Sequence, residues 1–79
     1  MKPTHVIKIF LSETVVSTLF FKDRKNADDS FEEIYRNLNN KKLDYVAIGK
    51  HSILNKNRVI SLSIEVFNED KHGIVNISD

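Results

Sequence analysis

The chain has 79 residues, which is enough for one small domain but not for two separate cores, so we take 1–79 as a single domain. It has no cysteine, which excludes disulfides and thiolate metal sites, and its net charge of +1 gives no general attraction to nucleic acid or membranes. No apolar run approaches the ~18 residues of a membrane-spanning helix, and Lys8 interrupts the apolar N-terminal stretch, which argues against a signal peptide. We therefore expect a cytoplasmic protein that does not contact membranes.

Two strands are predicted near the N-terminus, at 5–11 and 15–21, joined by a short turn at 12–14. Both segments are rich in β-branched and aromatic residues, and the tight connection favours an antiparallel hairpin. Apolar side chains occur on both sides of each strand, which is typical of strands that are covered on both faces.

One helix is predicted after a polar connection at 22–27. Ser30 is the expected N-cap, because Glu33 follows three residues later and completes a capping box. Asn39 and Asn40 are expected at the C-terminus, since Asn tolerates the left-handed conformation in which many helices end. The helix then has about three turns. Its single apolar stripe consists of Phe31, Ile34, Tyr35 and Leu38.

Three further strands are predicted at 43–48, 52–54 and 59–67. The first is apolar on both sides, which favours a central position in the sheet. The last alternates strictly between an apolar and a polar side, which predicts one face on the core and one near water. Its apolar face consists of Ile60, Leu62, Ile64 and Val66. A turn at 69–73 leads to a candidate sixth edge strand at 74–77.

This order predicts a small α+β domain of the ββαβββ type, with a mostly antiparallel sheet and one helix packed on one face. If 15–21 and 43–48 lie parallel in one sheet, the helix between them is a right-handed crossover. One helix covers only one face, so the sheet must either close into a small barrel or bury its other face at an interface. A homodimer does so with one self-complementary patch. The candidate interface residues are Ile7, Ile9, Leu11, Val16 and Phe20.

No residue pattern indicates catalysis or metal binding. The three histidines, at positions 5, 51 and 72, lack the spacing of a metal site. The carboxylate pairs at 28–29 and 32–33 lie together at the exposed start of the predicted helix, where they serve as capping and solvating groups. Neither glycine belongs to a phosphate-binding loop. We therefore expect a protein that is not an enzyme and that needs no metal or cofactor.

Basic residues at one end of the predicted sheet form a candidate contact with nucleic acid or another anion. The loop after the second strand and the turn after the third lie at the same end, beside the helix N-terminus, where anions bind well. The candidate residues are Lys22, Arg24, Lys25, Lys50 and His51. Asp23, Asp28 and Asp29 lie at the same place and offset much of the positive field.

A pattern of strands and turns runs through roughly residues 43 to 66. It consists of Val46-Ala47-Ile48-Gly49, Ile53-Leu54-Asn55, Arg58-Val59-Ile60 and Ile64-Glu65. This pattern resembles short uncharacterised proteins that are carried by phages and prophages of low-GC bacteria. The resemblance implies an accessory protein that acts by binding, for example by inhibiting a host enzyme or a host defence system. It contains no functional motif, so no site is carried over.

The leading hypothesis is therefore a small protein–protein binding module that forms a homodimer and modulates a host protein. It depends on the surplus of apolar side chains in the first two strands over what a single helix covers. A nucleic-acid-binding domain is the first alternative, and a sponge for a small ligand at a dimer interface is the second.

Overall fold

A computed structural model gives the fold and describes residues 1–49 and 52–77. The described residues form five strands and two α-helices, which confirms a small α+β domain of the ββαβββ type. The elements are β1 (His5–Phe10), β2 (Val16–Phe21), α1 (Arg24–Leu38), β3 (Tyr45–Ile48), β4 (Ser52–Asn55), a 3-10 turn (Lys56–Arg58), β5 (Ser61–Val66) and α2 (Glu69–His72).

The strands form two separate antiparallel sheets, and β1 lies at the centre of the larger one. This sheet has the order β2-β1-β5, while β3 and β4 pair only with each other among the described residues. The prediction that 43–48 is central is therefore wrong, and the condition for a right-handed crossover, parallel pairing of 43–48 with 15–21, is not met among the described residues. Apolar residues on both sides of β3 suggested full burial, but Tyr45 is 61% exposed and Ala47 is exposed as well.

The core lies where the larger sheet, α1 and the β3–β4 hairpin meet. Ile7 and Ile9 point from β1 to this side and are fully buried. In the register of the sheet, Ile7 lies opposite Leu19 on β2 and opposite Ile64 on β5. Burying an isoleucine side chain completely contributes about 1.5–3 kcal/mol. The core cluster around these two residues also contains Ile34, Val46 and Ile48.

The N-cap of the first helix lies seven residues before the predicted one. Asp23 is the N-cap, and its Oδ1 accepts the backbone N–H of Asn26 at 2.7 Å, so Ser30 lies inside the helix. The earlier start buries Ala27, which precedes Phe31 by one turn and lengthens the apolar stripe. Asp at an N-cap is as good as Ser, so the capping box did not decide the boundary. The segment 22–27, predicted as a polar connection, contains the first helical turn instead.

The C-terminus of α1 lies at the predicted residue but does not have the predicted left-handed conformation. Asn39 is the C-cap, as predicted, but its φ of −91° lies in the right-handed region. Its backbone N–H donates to the carbonyl groups of Tyr35 and Arg36, each at 3.2 Å, and its Nδ2 donates to the Tyr35 carbonyl at 2.9 Å. The side chain thus satisfies the helix end without a left-handed residue.

The C-terminal segment differs from its prediction in two ways. Residues 69–72, predicted as part of a turn, form the short helix α2, with Asn68 as its N-cap. Residues 74–77, the candidate sixth strand, form no strand. Two hydrogen bonds connect this stretch to the start of the chain: the N–H of Ile77 donates to the carbonyl of Met1 at 2.8 Å, and the N-terminal ammonium of Met1 donates to the carbonyl of Ile77 at 3.5 Å.

This C-terminal segment covers one end of the sheet face that lies opposite α1. The ring of Phe67 packs edge-on against Phe20, with 6.1 Å between the ring centroids, and stacks on His72 at 5.5 Å. Val6 lies on the same face and is fully buried. The expectation that a single helix leaves this whole face bare is therefore wrong at this end of the sheet.

Candidate interaction surfaces

The predicted interface residues separate into core and surface positions. Ile7 and Ile9 are fully buried beneath α1 and the hairpin, so a partner cannot reach them in this fold. Leu11 is half-buried against the same core. Phe20 is half-buried against Phe67, and Val16 remains 39% exposed at the start of β2. Of the five residues, only Val16 and Phe20, both on β2, therefore remain candidates for contact with a partner.

The predicted basic cluster is largely neutralised where the structure describes it. Arg24 and Lys25 occupy the exposed first turn of α1, not a loop before it. Arg24 Nε lies 3.4 Å from a carboxylate oxygen of Asp28, and Lys25 Nζ lies 3.5 Å from one of Asp29. Lys22 is exposed beyond the end of β2. The other two candidates, at positions 50 and 51, lie outside the described residues.

The outer edge of β2 has backbone groups without a strand partner. In an antiparallel pair, alternate residues direct their N–H and C=O groups toward the neighbouring strand or away from it. The N–H of Leu11 donates to the carbonyl of Val15 at 2.9 Å, which fixes this alternation along β2. The groups that point away belong to Val16, Thr18 and Phe20. Within 1–49 and 52–77, no strand pairs with this edge.

An apolar cleft of about 370 Å³ lies beside this edge, between β2, α1 and β3. Two polar residues of α1, Ser30 and Glu33, lie in its wall. Gly49 closes it at the end of β3 with φ of +65°, and a side chain at this position would start 3.4 Å from Leu19. The apolar lining is Leu19, Phe20, Phe21, Ile34 and Ala47. The cleft is thus suited to an apolar side chain.

A charged cluster on the other side of the sheet attaches α2 to β5. Glu65 lies 2.9 Å from Lys8 Nζ, 3.3 Å from His72 Nε2 and 3.9 Å from Lys71 Nζ. The close contact with the Lys8 ammonium is the main cause that lowers the pKa of Glu65, and the contact with His72 is the second. The His72 side chain is only 3% exposed, and its Nδ1 lies 3.0 Å from the backbone of Asn68. Buried against Phe67, this imidazole holds α2 in place.

The remaining features give no support to metal chemistry in the described part of the chain. His5 is half-buried and its Nδ1 lies 2.9 Å from the hydroxyl of Thr4. Across 1–49 and 52–77, no three His, Asp or Glu side chains come together in a group that could hold a metal ion. None of the helices in these ranges has the length and apolar character needed to cross a membrane.

Several residues that line the cleft beside β2 were not recognisable as cleft residues from the sequence. Ile34 was assigned only to a helix stripe and Ala47 to a central strand, whereas both line the cleft. Glu33 was assigned to a capping box, whereas it lies in the cleft wall. No local pattern marks these positions, because the cleft exists only where β2 and β3 fail to pair.

The fold and its surfaces define a small α+β domain with a free sheet edge beside an apolar cleft. Comparison with protein-family models, with curated proteins and with solved structures finds no match to this chain.

Proposed function

We propose that this protein is a non-enzymatic protein-binding module that takes up an extended segment of a partner along the outer edge of β2. The unpaired backbone groups of Val16, Thr18 and Phe20, next to an apolar cleft, carry this proposal. An extended peptide adds to such an edge as a further strand: main-chain hydrogen bonds supply affinity, and pockets for alternate side chains supply specificity.

The side chains of this surface define the segment that fits it. The strand Val16–Phe21 contains no charged residue and no proline, the features with which proteins commonly protect an edge. The cleft accepts an apolar side chain. Glu33 has no ion pair within the described residues, so a basic side chain near the apolar one adds a favourable charge contact. The preferred segment is therefore extended and apolar at alternate positions, with a basic residue near the apolar side chain that enters the cleft.

The biological role within this proposal is modulation of a host protein by an accessory protein. Its support is the resemblance of the pattern in 43–66 to small phage and prophage proteins, together with a surface that can occupy a partner's segment. The ion pairs of Arg24 and Lys25 favour a protein partner over nucleic acid, because a nearby carboxylate opposes each of these cations.

A proline at position 18 tests the proposal directly. Thr18 is exposed and its N–H points away from β1, so Thr18→Pro removes an edge donor and should leave the β1–β2 ladder intact. Thr18→Val is the matched control, because it keeps the N–H. The probes are short peptides selected from a random library on the immobilised wild-type protein, with binding measured by calorimetry.

We expect the selected peptides to bind wild type and Thr18→Val alike, and to bind Thr18→Pro at least about tenfold more weakly, the equivalent of ~1.4 kcal/mol. Unchanged binding to a folded Thr18→Pro variant would contradict the proposal. A parallel titration with a fluorescent DNA oligonucleotide tests the alternative function, nucleic-acid binding. Salt-sensitive DNA binding that Arg24→Ala and Lys25→Ala weaken would support nucleic-acid recognition instead.

A further inference from the structure

The second free edge of the larger sheet belongs to β5. The N–H of Phe67 donates to the carbonyl of Thr4 at 2.8 Å, which fixes the alternation of backbone groups along this strand. The groups that point away from β1 belong to Leu62, Ile64 and Val66. Among the described residues, no strand lies beyond them. Like β2, this edge contains no proline and no lysine.

Exposed apolar side chains follow the same side of the molecule. Tyr35 on α1 is 59% exposed, Ile60 just before β5 is 66% exposed, and Val66 at its end is 69% exposed. A groove of about 510 Å³ lies between α1 and the start of β5. Its apolar lining is Phe31, Tyr35, Leu38, Val59, Ile60 and Leu62. The free edge and the groove are thus parts of one continuous surface, which we call the β5 side.

We propose that the β5 side binds a second copy of this chain, through antiparallel pairing of the two β5 strands with Ile64 on the two-fold axis. The two three-stranded sheets then become one continuous sheet, and the two α1 helices lie next to each other on the same face. This interface is separate from the proposed peptide site on β2, because β2 and β5 form opposite edges of the sheet.

The register centred on Ile64 is self-complementary, and this argues for a second copy as the occupant. Leu62 lies opposite Val66 of the second copy, and Ser63 lies opposite Glu65 of the second copy, so no two like charges face each other. Because Leu62, Ile64 and Val66 all direct backbone groups outward, this register forms about six backbone hydrogen bonds. One strand thus supplies both halves of the interface, as a two-fold axis requires.

The size of a stable interface argues in the same direction. Such an interface buries about 800 Å² on each partner, roughly one seventh of the 5913 Å² surface of this chain. A single edge strand is too narrow to supply this area alone. The flanking groove and the exposed Tyr35 and Ile60 extend the apolar surface beyond the strand, so pairing of the edges also covers the groove.

The test is the solution mass of wild type and two matched edge variants, measured by light scattering during size exclusion over a range of concentrations at low and high salt. Val66→Pro removes an outward N–H at an exposed position near the strand end, and Val66→Thr keeps it. We expect wild type and Val66→Thr at twice the chain mass of 9.2 kDa. We expect Val66→Pro to remain folded by circular dichroism, with a dimer dissociation constant at least about tenfold higher.

Thr18→Pro, which disrupts the β2 edge, shows whether loss of the dimer is specific for the β5 edge. If the dimer forms through β5, Thr18→Pro stays dimeric, even when it loses peptide binding. A dimer that Thr18→Pro dissociates and Val66→Pro does not would overturn the proposal and assign the interface to β2. A wild-type monomer at about 100 μM would overturn it as well, and it would leave the peptide-binding proposal intact.

Hydrogen exchange of the backbone amides gives a second readout that does not depend on a variant. The amides of Leu62, Ile64 and Val66 should exchange more slowly as the protein concentration rises, because dimerisation turns them from free into paired groups. Concentration-dependent protection of Val16, Thr18 and Phe20 in their place would contradict the β5 assignment.

Discussion

Asp23 and Ser30 are two good capping side chains in one segment, and only one of them begins α1. Asp23 Oδ1 accepts the N–H of Asn26 at 2.7 Å, and Oδ2 accepts the side-chain amide of the same residue at 3.0 Å. Ser30 has the sequence context of a cap but lies in the middle of the helix. The longer helix that begins after Asp23 is thus preferred over the shorter one that the capping box at Ser30 predicts, because the longer helix also buries the side chain of Ala27.

Substitution of Asp23 and of Ser30 shows which of the two residues is the N-cap of α1. Asp23→Ala removes the cap and should lower the free energy of unfolding by about 0.5–2 kcal/mol. Ser30→Ala should be neutral or slightly stabilising, because alanine is the better helix former inside a helix. Urea unfolding followed by circular dichroism measures both variants. A larger loss for Ser30→Ala than for Asp23→Ala would mean that the helix begins where the capping box predicts.

The short helix α2 depends on a carboxylate beneath it. Because Lys8 and His72 lower the pKa of Glu65, its ionised form stabilises the folded state. This contribution is fully present above the pKa of an unperturbed glutamate, ~4.3, and is lost as the pH falls through the lower pKa of the folded state. Acidification should therefore weaken the attachment of α2 to the sheet.

Glu65→Gln tests this pH dependence. The variant should be less stable than wild type at neutral pH, and the difference should shrink as the pH falls below about 4. Glu13→Gln, in the exposed turn after β1, is the control and should leave the profile unchanged. Urea midpoints measured across the pH range check the prediction. A stability difference that is the same at every pH would contradict the role assigned to the Glu65 carboxylate.

The positions of the strands could be predicted from the sequence, but their neighbours could not. Alternation and β-branched composition located β1, β2 and β5, because both signals arise within a single strand. Pairing depends on contacts between distant residues, so the apolar character of 43–48 did not reveal that β3 joins only β4. The candidate site shares this limit. Val16 and Phe20 were identified as apolar surplus, but the free edge and the cleft follow from which strands do not pair.

The molecule as a whole depends on one small core that connects the larger sheet, α1 and the hairpin. Ile9 is fully buried at the sheet side of this core, and Val46 and Ile48 of the hairpin belong to the same cluster. No strand pairing joins the two sheets within the described residues. Their common packing must therefore hold them together, and damage to it should affect helix and hairpin at once.

Ile9→Ala is expected to lower the free energy of unfolding by about 2–5 kcal/mol, because it leaves a cavity in the core. This is a large part of the total free energy of unfolding, which at roughly 0.05–0.15 kcal/mol per residue amounts to about 4–12 kcal/mol for 79 residues. Val16→Ala, at a 39% exposed position on the sheet edge, should cost much less. In a Tyr35→Phe background, Tyr45 on β3 is the sole tyrosine. Helix loss by far-ultraviolet circular dichroism and the tyrosine fluorescence of this background should then shift together in urea. Separate transitions would show that the hairpin folds apart from the sheet, and a small effect of Ile9→Ala would return Ile9 to the surface role that its sequence position suggested.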